Sequence, residues 1–234
     1  MERLLAPAKV TLELRVTGRR ADGYHLIDAE MVSVDLCDSL EIGPGDELEV
    51  VGAHAVETGT DNLVRRALAL VERRASVLLH KQIPTGAGLG GGSSDAAAIL
   101  RWAGFDDIEA AATLGADVPF CLRGGRARVR GIGEQLESLP FEERELTLIT
   151  PPFGCDTGAV YERWDELGGP SGDGINDLEP AALALEPRLA EWRDRLAEAT
   201  GLSPTLAGSG STWFVPGPHP GPGRRVVRTV PAVE

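Results

Sequence analysis

Lysine is almost missing from this chain of 234 residues: it stands only at Lys9 and Lys81, and arginine supplies the remaining basic charge. An ammonium is a compact charge with movable donors, whereas a guanidinium is a planar fork, so a lysine kept against that background marks a place where the compact group is wanted; the alternative is chance. Base is scarce altogether. With 36 acidic against 23 basic residues the formal charge is −13, which argues against non-specific binding to nucleic acid or to an anionic membrane. Any anionic substrate must therefore meet a local positive pocket. Cys37, Cys121 and Cys155 are odd in number, far apart and without Cys-x-x-Cys spacing, so they indicate neither a disulfide framework nor a zinc site and fit a reducing cytoplasm. No apolar run approaches the roughly 20 residues of a membrane span, and Met1-Glu2-Arg3-Leu4-Leu5-Ala6-Pro7 holds no apolar signal segment. Tyrosine occurs only at Tyr24 and Tyr161.

Glycine, by contrast, is abundant, and it concentrates in Pro84-Thr85-Gly86-Ala87-Gly88-Leu89-Gly90-Gly91-Gly92-Ser93-Ser94. Successive backbone N–H groups in such a loop can turn inward as an anion cradle. The run Asp95-Ala96-Ala97-Ala98-Ile99-Leu100 then predicts a helix whose N-terminus faces the same place and also favours negative charge. Gly86-x-Gly88-x-x-Gly91 formally fits a dinucleotide fingerprint, with Asp106 and Asp107 at the distance of its acid, but no second β-type run intervenes. A Walker loop needs Gly-Lys-Ser/Thr, and here Gly92 is followed by Ser93. A flexible linker remains the plain alternative, although such linkers seldom run straight into a strong helix.

The length allows a sizeable core divided into two lobes, expected at residues 1–145 and 146–234. Alternation of Val10, Leu12, Leu14 and Val16 predicts a half-buried strand over 8–16 with those four on one face and Lys9 at its entrance. Turn chemistry follows at Gly18-Arg19-Arg20-Ala21-Asp22-Gly23-Tyr24-His25. Strands are expected at 31–36, 39–42 and 48–51 in an antiparallel sheet, and at 77–79 leading to the glycine loop. Asp61 is the expected cap of a helix beginning at Asn62-Leu63-Val64. A short helix is expected at 108–114, a turn and strand from Gly115-Ala116-Asp117-Val118-Pro119-Phe120, and a strand with one wet face at Arg126-Ala127-Arg128-Val129-Arg130. Asp117 on its own, a lone aspartate beside a proline, reads more readily as a cap or turn residue. The second block starts with a strand at 146–149 and has helices at 157–167 and 187–200. Between these helices lies a polar, glycine-rich loop ending in Asn176-Asp177-Leu178-Glu179-Pro180, a helix entry. A second small-residue loop, Gly208-Ser209-Gly210-Ser211-Thr212, precedes Trp213-Phe214-Val215, and a closing strand is expected at 225–230, with the option that it returns to the first lobe.

Six segments stand in one order: Pro7-Ala8-Lys9, Arg20-Ala21-Asp22-Gly23-Tyr24-His25, the glycine loop, Leu114-Gly115-Ala116-Asp117-Val118-Pro119, Asn176-Asp177-Leu178-Glu179 and Gly208-Ser209-Gly210-Ser211-Thr212. Together they resemble the GHMP small-molecule kinases over nearly the whole chain. Ala-Asp-Gly-Tyr-His resembles the members that phosphorylate the 2-hydroxyl of a cytidine-diphosphate derivative of methylerythritol in isoprenoid precursor synthesis. The resemblance implies an α+β fold of two lobes, the first like ribosomal protein S5 domain 2 and the second a shortened ferredoxin-like lobe. It implies ATP and Mg2+, a small-molecule cytidine-diphosphate substrate, no nucleic-acid or membrane partner, and a monomer or weak homodimer in the cytoplasm.

By the same resemblance Asp117 is the catalytic base and Lys9 the ammonium beside it, in a reaction that asks mainly for positioning and charge stabilisation. Pro84, Gly86, Ala87, Gly88, Leu89, Gly90, Gly91, Gly92, Ser93 and Ser94 wrap the ATP phosphates, with Ser93 or Ser94 near the magnesium ion and Lys81 and Asn62 close to the nucleotide. Tyr24 and Tyr161 flank the cytosine and His25 bonds its edge; taken alone, His25 reads as a satisfied half-buried histidine and Tyr161 as an ordinary packing residue. Gly208, Ser209 and Gly210 approach both the glycine loop and the substrate. The chain departs from the family pattern at Thr11, where asparagine is usual and a hydroxyl replaces only part of an amide's hydrogen bonding. The stretch between Leu100 and Leu114 is short, and Pro216-Gly217-Pro218-His219-Pro220-Gly221-Pro222 rules out a regular helix where the family has one. Those departures motivate two alternatives, a catalytically weak or idle nucleotide-binding paralogue and a GHMP kinase for another small alcohol.

Overall fold

Alternating apolar residues at the start of the chain suffice for a strand. In the computed structural model, which describes residues 2–54, 56–169 and 174–232, β1 (Glu2–Arg19) runs antiparallel to β2 (His25–Gly43). Residues 31–36 and 39–42 thus belong to one long strand, and Lys9 lies in the middle of β1 instead of at an entrance. The pairing shifts register between Pro7 and Lys9, between Thr11 and Glu13, and between Val16 and Gly18. A bulge adds a residue to one strand and re-aims the side chains beyond it. With Leu12 as the extra residue, the apolar set does not stay on one face: Val10 and Leu12 pack with one core cluster, Leu14 and Val16 with another.

β3 (Leu48–Gly52) pairs parallel with β4 (Ser76–Lys81), which corrects the wholly antiparallel expectation. A parallel neighbour needs a crossover, and α1 (Leu63–Leu70) supplies it. Its cap is Asn62, whose Oδ1 accepts from Val64 N at 2.9 Å; Asp61 does not cap it. From β4 the chain enters the glycine loop and α2 (Gly91–Trp102), then α3 (Ile108–Ala112) and α4 (Val118–Arg123). α4 replaces the strand expected there. Pro119 sits in its first turn, where a missing N–H costs nothing, and Val118, Phe120, Cys121 and Leu122 are all buried. β5 (Arg126–Gly131) and β6 (Gln135–Ser138) complete a six-stranded sheet ordered β3-β4-β2-β5-β6, with β1 on β2.

β7 (Glu145–Ile149) opens the second block. After it come α5 (Thr157–Glu166), α6 (Glu179–Leu185), α7 (Leu189–Thr200), β8 (Thr205–Leu206), β9 (Trp213–Pro216) and β10 (Arg224–Arg228). The polar loop expected before Asn176 falls partly at 170–173, outside the described residues. The four strands form an antiparallel sheet ordered β10-β7-β9-β8, so the last strand joins β7, while the bridges Val34↔Thr229 and Gly124↔Ala232 and the hydrogen bond from Arg228 N to Asp35 Oδ1 link this end of the chain to the first sheet's side. One apolar cluster lies between the first sheet and the helices and extends to Ile149, Leu206, Trp213 and Val215 of the second sheet. The other places Val10, Val32, Leu36, Ile83 and Leu89 against Leu146, Leu148, Phe214 and Val227, so both sheets contribute to it. The glycine loop and β1 lie where these two cores meet.

Candidate active site

Backbone geometry makes the glycine loop concave. Gly88 and Gly90 take φ of +74° and +67°, values a Cβ strains, and a Cβ on Gly88 would lie 2.2 Å from Ala207 O. α2 starts within the run, capped by Gly90 with no side-chain hydrogen bond, so its first amides remain open to an anion. A cavity of about 240 Å³ is lined by this loop from Ile83 to Ser93, together with Leu63, Lys81, Asp117, Cys155 and Thr157. The two serines part here. Ser94 is fully buried with its hydroxyl donating to Pro7 O at 2.6 Å, while Ser93 lines the cavity.

Beside it lies a larger cavity of about 630 Å³, whose lining includes Lys9, Thr11, Tyr24, His25, Tyr161, Gly208 and Ser209. Gly88, Ser93, Asp117 and Thr157 line both cavities. Asp117 therefore stands at the junction. It occupies the cap position of α4 without making a cap hydrogen bond, and its Oδ2 is 3.2 Å from the Lys9 ammonium. The Lys9 side chain is 5% exposed and that of Asp117 31%. Lys9 is fixed by its backbone, which donates to Leu89 O at 3.0 Å, and by Thr11, whose Oγ1 accepts from Nζ at 3.2 Å.

The other lysine does something different. Lys81 is 2% exposed beneath the start of α2, with its ammonium bonded to Asp38 and to Asp95 Oδ2 at 2.8 Å. Asp38 Oδ1 also accepts from Gln82 N and Ile83 N at 2.5 and 2.8 Å, so the cluster ties the strand that enters the loop to the helix that leaves it. Burial, with the Asp38 charge adding to it, pushes the Asp95 carboxyl up to about 7 despite the ammonium. Asn62 is likewise spent on structure: its Nδ2 donates to Glu57 O at 2.8 Å while Oδ1 caps α1, and it lines neither cavity.

At the far end of the larger cavity Tyr24 is 59% exposed, whereas Tyr161 stacks on His25 with ring centroids 4.7 Å apart and 20° between planes. His25 thus covers one face of Tyr161, while Tyr24, His25 and Tyr161 all line the same cavity. Burial and the Asp117 charge raise the Tyr161 hydroxyl's pKa above the ordinary phenol value. His25 Nε2 is 2.8 Å from Asp165 Oδ1, and Arg19 Nη1 is 3.0 Å from Asp165 Oδ2. One imidazole nitrogen is thus committed to Asp165. Gly208 packs against the lysine, where an added Cβ would lie 3.4 Å from Lys9 Nζ and 3.6 Å from Thr11 Oγ1; Ser209 Oγ is 2.9 Å from Thr157 Oγ1, and Gly210 O approaches Gly88. Sequence reasoning passed over Asp38, Asp95, Thr157 and Asp165, because no local pattern announces partners so far apart in the chain. It saw Asn176 as a helix entry and as part of a family-like segment, without assigning it a role.

The profile of the GHMP kinases N terminal domain matches residues 62–125, the segment carrying the glycine loop and Asp117. The 4-diphosphocytidyl-2-C-methyl-D-erythritol kinase of Granulibacter bethesdensis is 38% identical over 97% of this chain and 89% of its own length. The proteins of that name from Pelotomaculum thermopropionicum and Paracoccus denitrificans are 41% and 40% identical, covering 90% and 89% of this chain and 87% and 84% of their own. A crystal structure of 4-(cytidine 5′-diphospho)-2C-methyl-D-erythritol kinase superposes with a TM-score of 0.73 at 36% identity, over 91% of this chain and 89% of that one. A homoserine kinase from Cytophaga hutchinsonii, 16% identical with a TM-score of 0.61 over 98% of this chain and 94% of its own, shares the fold.

Proposed function

The chain belongs to the 4-diphosphocytidyl-2-C-methyl-D-erythritol kinases, a family with the GHMP kinase fold, and we propose that it transfers the γ-phosphate of ATP to the 2-hydroxyl of 4-diphosphocytidyl-2-C-methyl-D-erythritol, a step towards isoprenoid precursors. The observation that carries the reading is the position of the Lys9–Asp117 ion pair, at the one place where the glycine-loop cavity opens into the larger cavity. The smaller space accepts the triphosphate on backbone N–H groups and the N-terminus of α2. The larger one takes the acceptor. Asp117 then receives the proton of the attacking hydroxyl, and the Lys9 ammonium stabilises negative charge growing on that oxygen. Both groups are held in place before substrate arrives, which is where most of the advantage in phosphoryl transfer lies.

A magnesium ion fits this arrangement, because the Ser93 hydroxyl is a hard oxygen donor lining the phosphate cavity and would hold it together with phosphate oxygens. When bound, the ion neutralises phosphate charge. Tyr24 is free to lie on a base, and His25, oriented by Asp165, supports cytosine selection from its remaining nitrogen and its backbone. The net negative charge and the two-cavity site suit a small-molecule kinase. Among the described residues no helix is long and apolar enough to cross a membrane.

Replacing Asp117 by Asn tests the reading. Turnover of the cytidine-diphosphate substrate is expected to fall by about 10²–10⁴-fold while ATP still binds, measured by coupled ADP release and by calorimetry. Turnover equal to the unaltered enzyme would remove Asp117 from the mechanism.

A further inference from the structure

Residues 174–178 carry a motif that the reaction as described does not use, yet they touch both halves of the site. Leu14 N donates to Ile175 O at 3.0 Å and Asp177 N to Leu14 O at 3.0 Å, so this segment is laid alongside β1 as a short parallel partner. Asp177, 2% exposed, accepts from Val16 N at 3.0 Å and from Arg15 Nη1 at 2.9 Å, which fixes the register. Between those two anchors lies Asn176, also 2% exposed. Its Nδ2 donates to Leu206 O at 2.8 Å and to Gly208 O at 2.7 Å, and its Oδ1 accepts from Leu178 N at 2.9 Å. Both amide hydrogens and the amide oxygen are bonded to backbone groups.

The loop that it grips is the one that meets the catalytic pair. Gly208 stands against the Lys9 ammonium and Thr11, and Ala207 O and Gly210 O stand against Gly88 of the phosphate loop. We propose that Asn176 is a positioning residue for phosphoryl transfer: one side-chain amide ties the loop at 206–210 to β1, and so holds the phosphate cradle and the Lys9–Asp117 pair at a fixed separation. No other short side chain can do this. Aspartate has the same shape but, ionised, turns an acceptor toward two carbonyl oxygens; serine is too short to reach both. Because misplacement of reacting groups by about 1 Å costs about a hundredfold in rate, the loss should appear in the chemical step more than in the binding of either substrate.

The inference rests on the kinase reading, and the experiment separates the two. If the unaltered protein consumes no ATP with the cytidine-diphosphate substrate, the functional reading fails. If it does, Asn176→Asp is expected to lower kcat about a hundredfold at pH 8, with the Kd for ATP and the KM for the acceptor changed less than about threefold. Its activity relative to the unaltered enzyme should then rise as pH falls towards 5, because a protonated carboxyl regains one donor. Asn176→Ser should lose rate without that pH-dependent recovery, and it keeps the test open where the aspartate does not fold. A kcat within twofold of the unaltered enzyme in the soluble variant, or a loss confined to ATP affinity, would overturn the assignment, as would a variant-to-wild-type ratio flat from pH 5 to pH 8 for the aspartate.

Discussion

Two lysines in a chain that otherwise uses arginine turn out to occupy the two most enclosed cationic positions of the site, and each is compact for its own reason. Lys9 passes so close to the two glycine loops that a Cβ on Gly90 would lie 3.2 Å from its Cε and one on Gly208 3.4 Å from its Nζ, which crowds the wider guanidinium. Lys9→Arg is therefore expected to fare no better than Lys9→Met, both losing about 10²–10³-fold in kcat, as when a single donor to a developing oxyanion is removed. Steady-state rates for the two variants check this, and full rescue by arginine would show that charge alone suffices. Lys81 balances two buried carboxylates, one of which, Asp95, leaves Oδ1 without a partner. The Asp95 pKa is raised in the folded protein, from 3.8 to about 7, so the protonated form is favoured by folding. Its contribution is full below pH about 4 and lost as pH rises through about 7. Asp95→Asn keeps an acceptor for Lys81 and removes that dependence. Its melting temperature should exceed that of the unaltered protein at pH 8, and the gap should close by pH 5; a gap independent of pH would refute the account.

Elements show why part of this site is legible in sequence and part is not. The glycine loop and α2 could be read directly, because the φ demands and the alanine run are local. So could the helix α7, whose Leu189, Trp192 and Leu196 recur at helical spacing. α4 could not, since Val118-Pro119-Phe120-Cys121-Leu122 is apolar throughout and a buried helix and a buried strand then look alike. The bulge at Leu12 has no signature either, yet it is what sets Lys9 and Thr11 on the same side of β1 as Leu14. Asn62 shows the opposite failure, where a residue expected at the nucleotide is committed to its helix. Asn62→Ala should cost about 1 kcal/mol in urea unfolding, as for other lost caps, and leave the KM for ATP unchanged within twofold. A raised KM with unaltered stability would return Asn62 to the nucleotide site. Gly88→Ala should do the reverse of that expectation's cap: its Cβ would strike Ala207 O at 2.2 Å, prising the two loops apart, and the variant should lose nucleotide-induced stabilisation.

At the scale of the whole molecule, Gly88, Ser93, Asp117 and Thr157 line both cavities, so in the proposed reaction donor and acceptor occupy separate rooms with one shared wall. On the proposed function, that arrangement is how a protein of charge −13 handles two polyanions: backbone dipoles and a few cations close at hand hold each, while the acidic exterior contributes nothing to the grip. The arginines of β5 face outward into carboxylates, Arg126 on Glu30 and Arg128 on Asp28 and Glu13, and are consumed there instead of serving the site. It follows that a nucleoside diphosphate in either room stabilises the fold without needing the other. A ligand at a hundred times its Kd contributes about 2.7 kcal/mol, which in a chain of this size raises the melting temperature by about 5–10 °C. CDP and ADP should each give such a shift and the two together a larger one. UDP should give much less than CDP, because stacking accepts any base and only the edge distinguishes the two pyrimidines. If ADP abolished the CDP shift, the two nucleotides would be competing for one room, and the division of the site at Asp117 would be wrong.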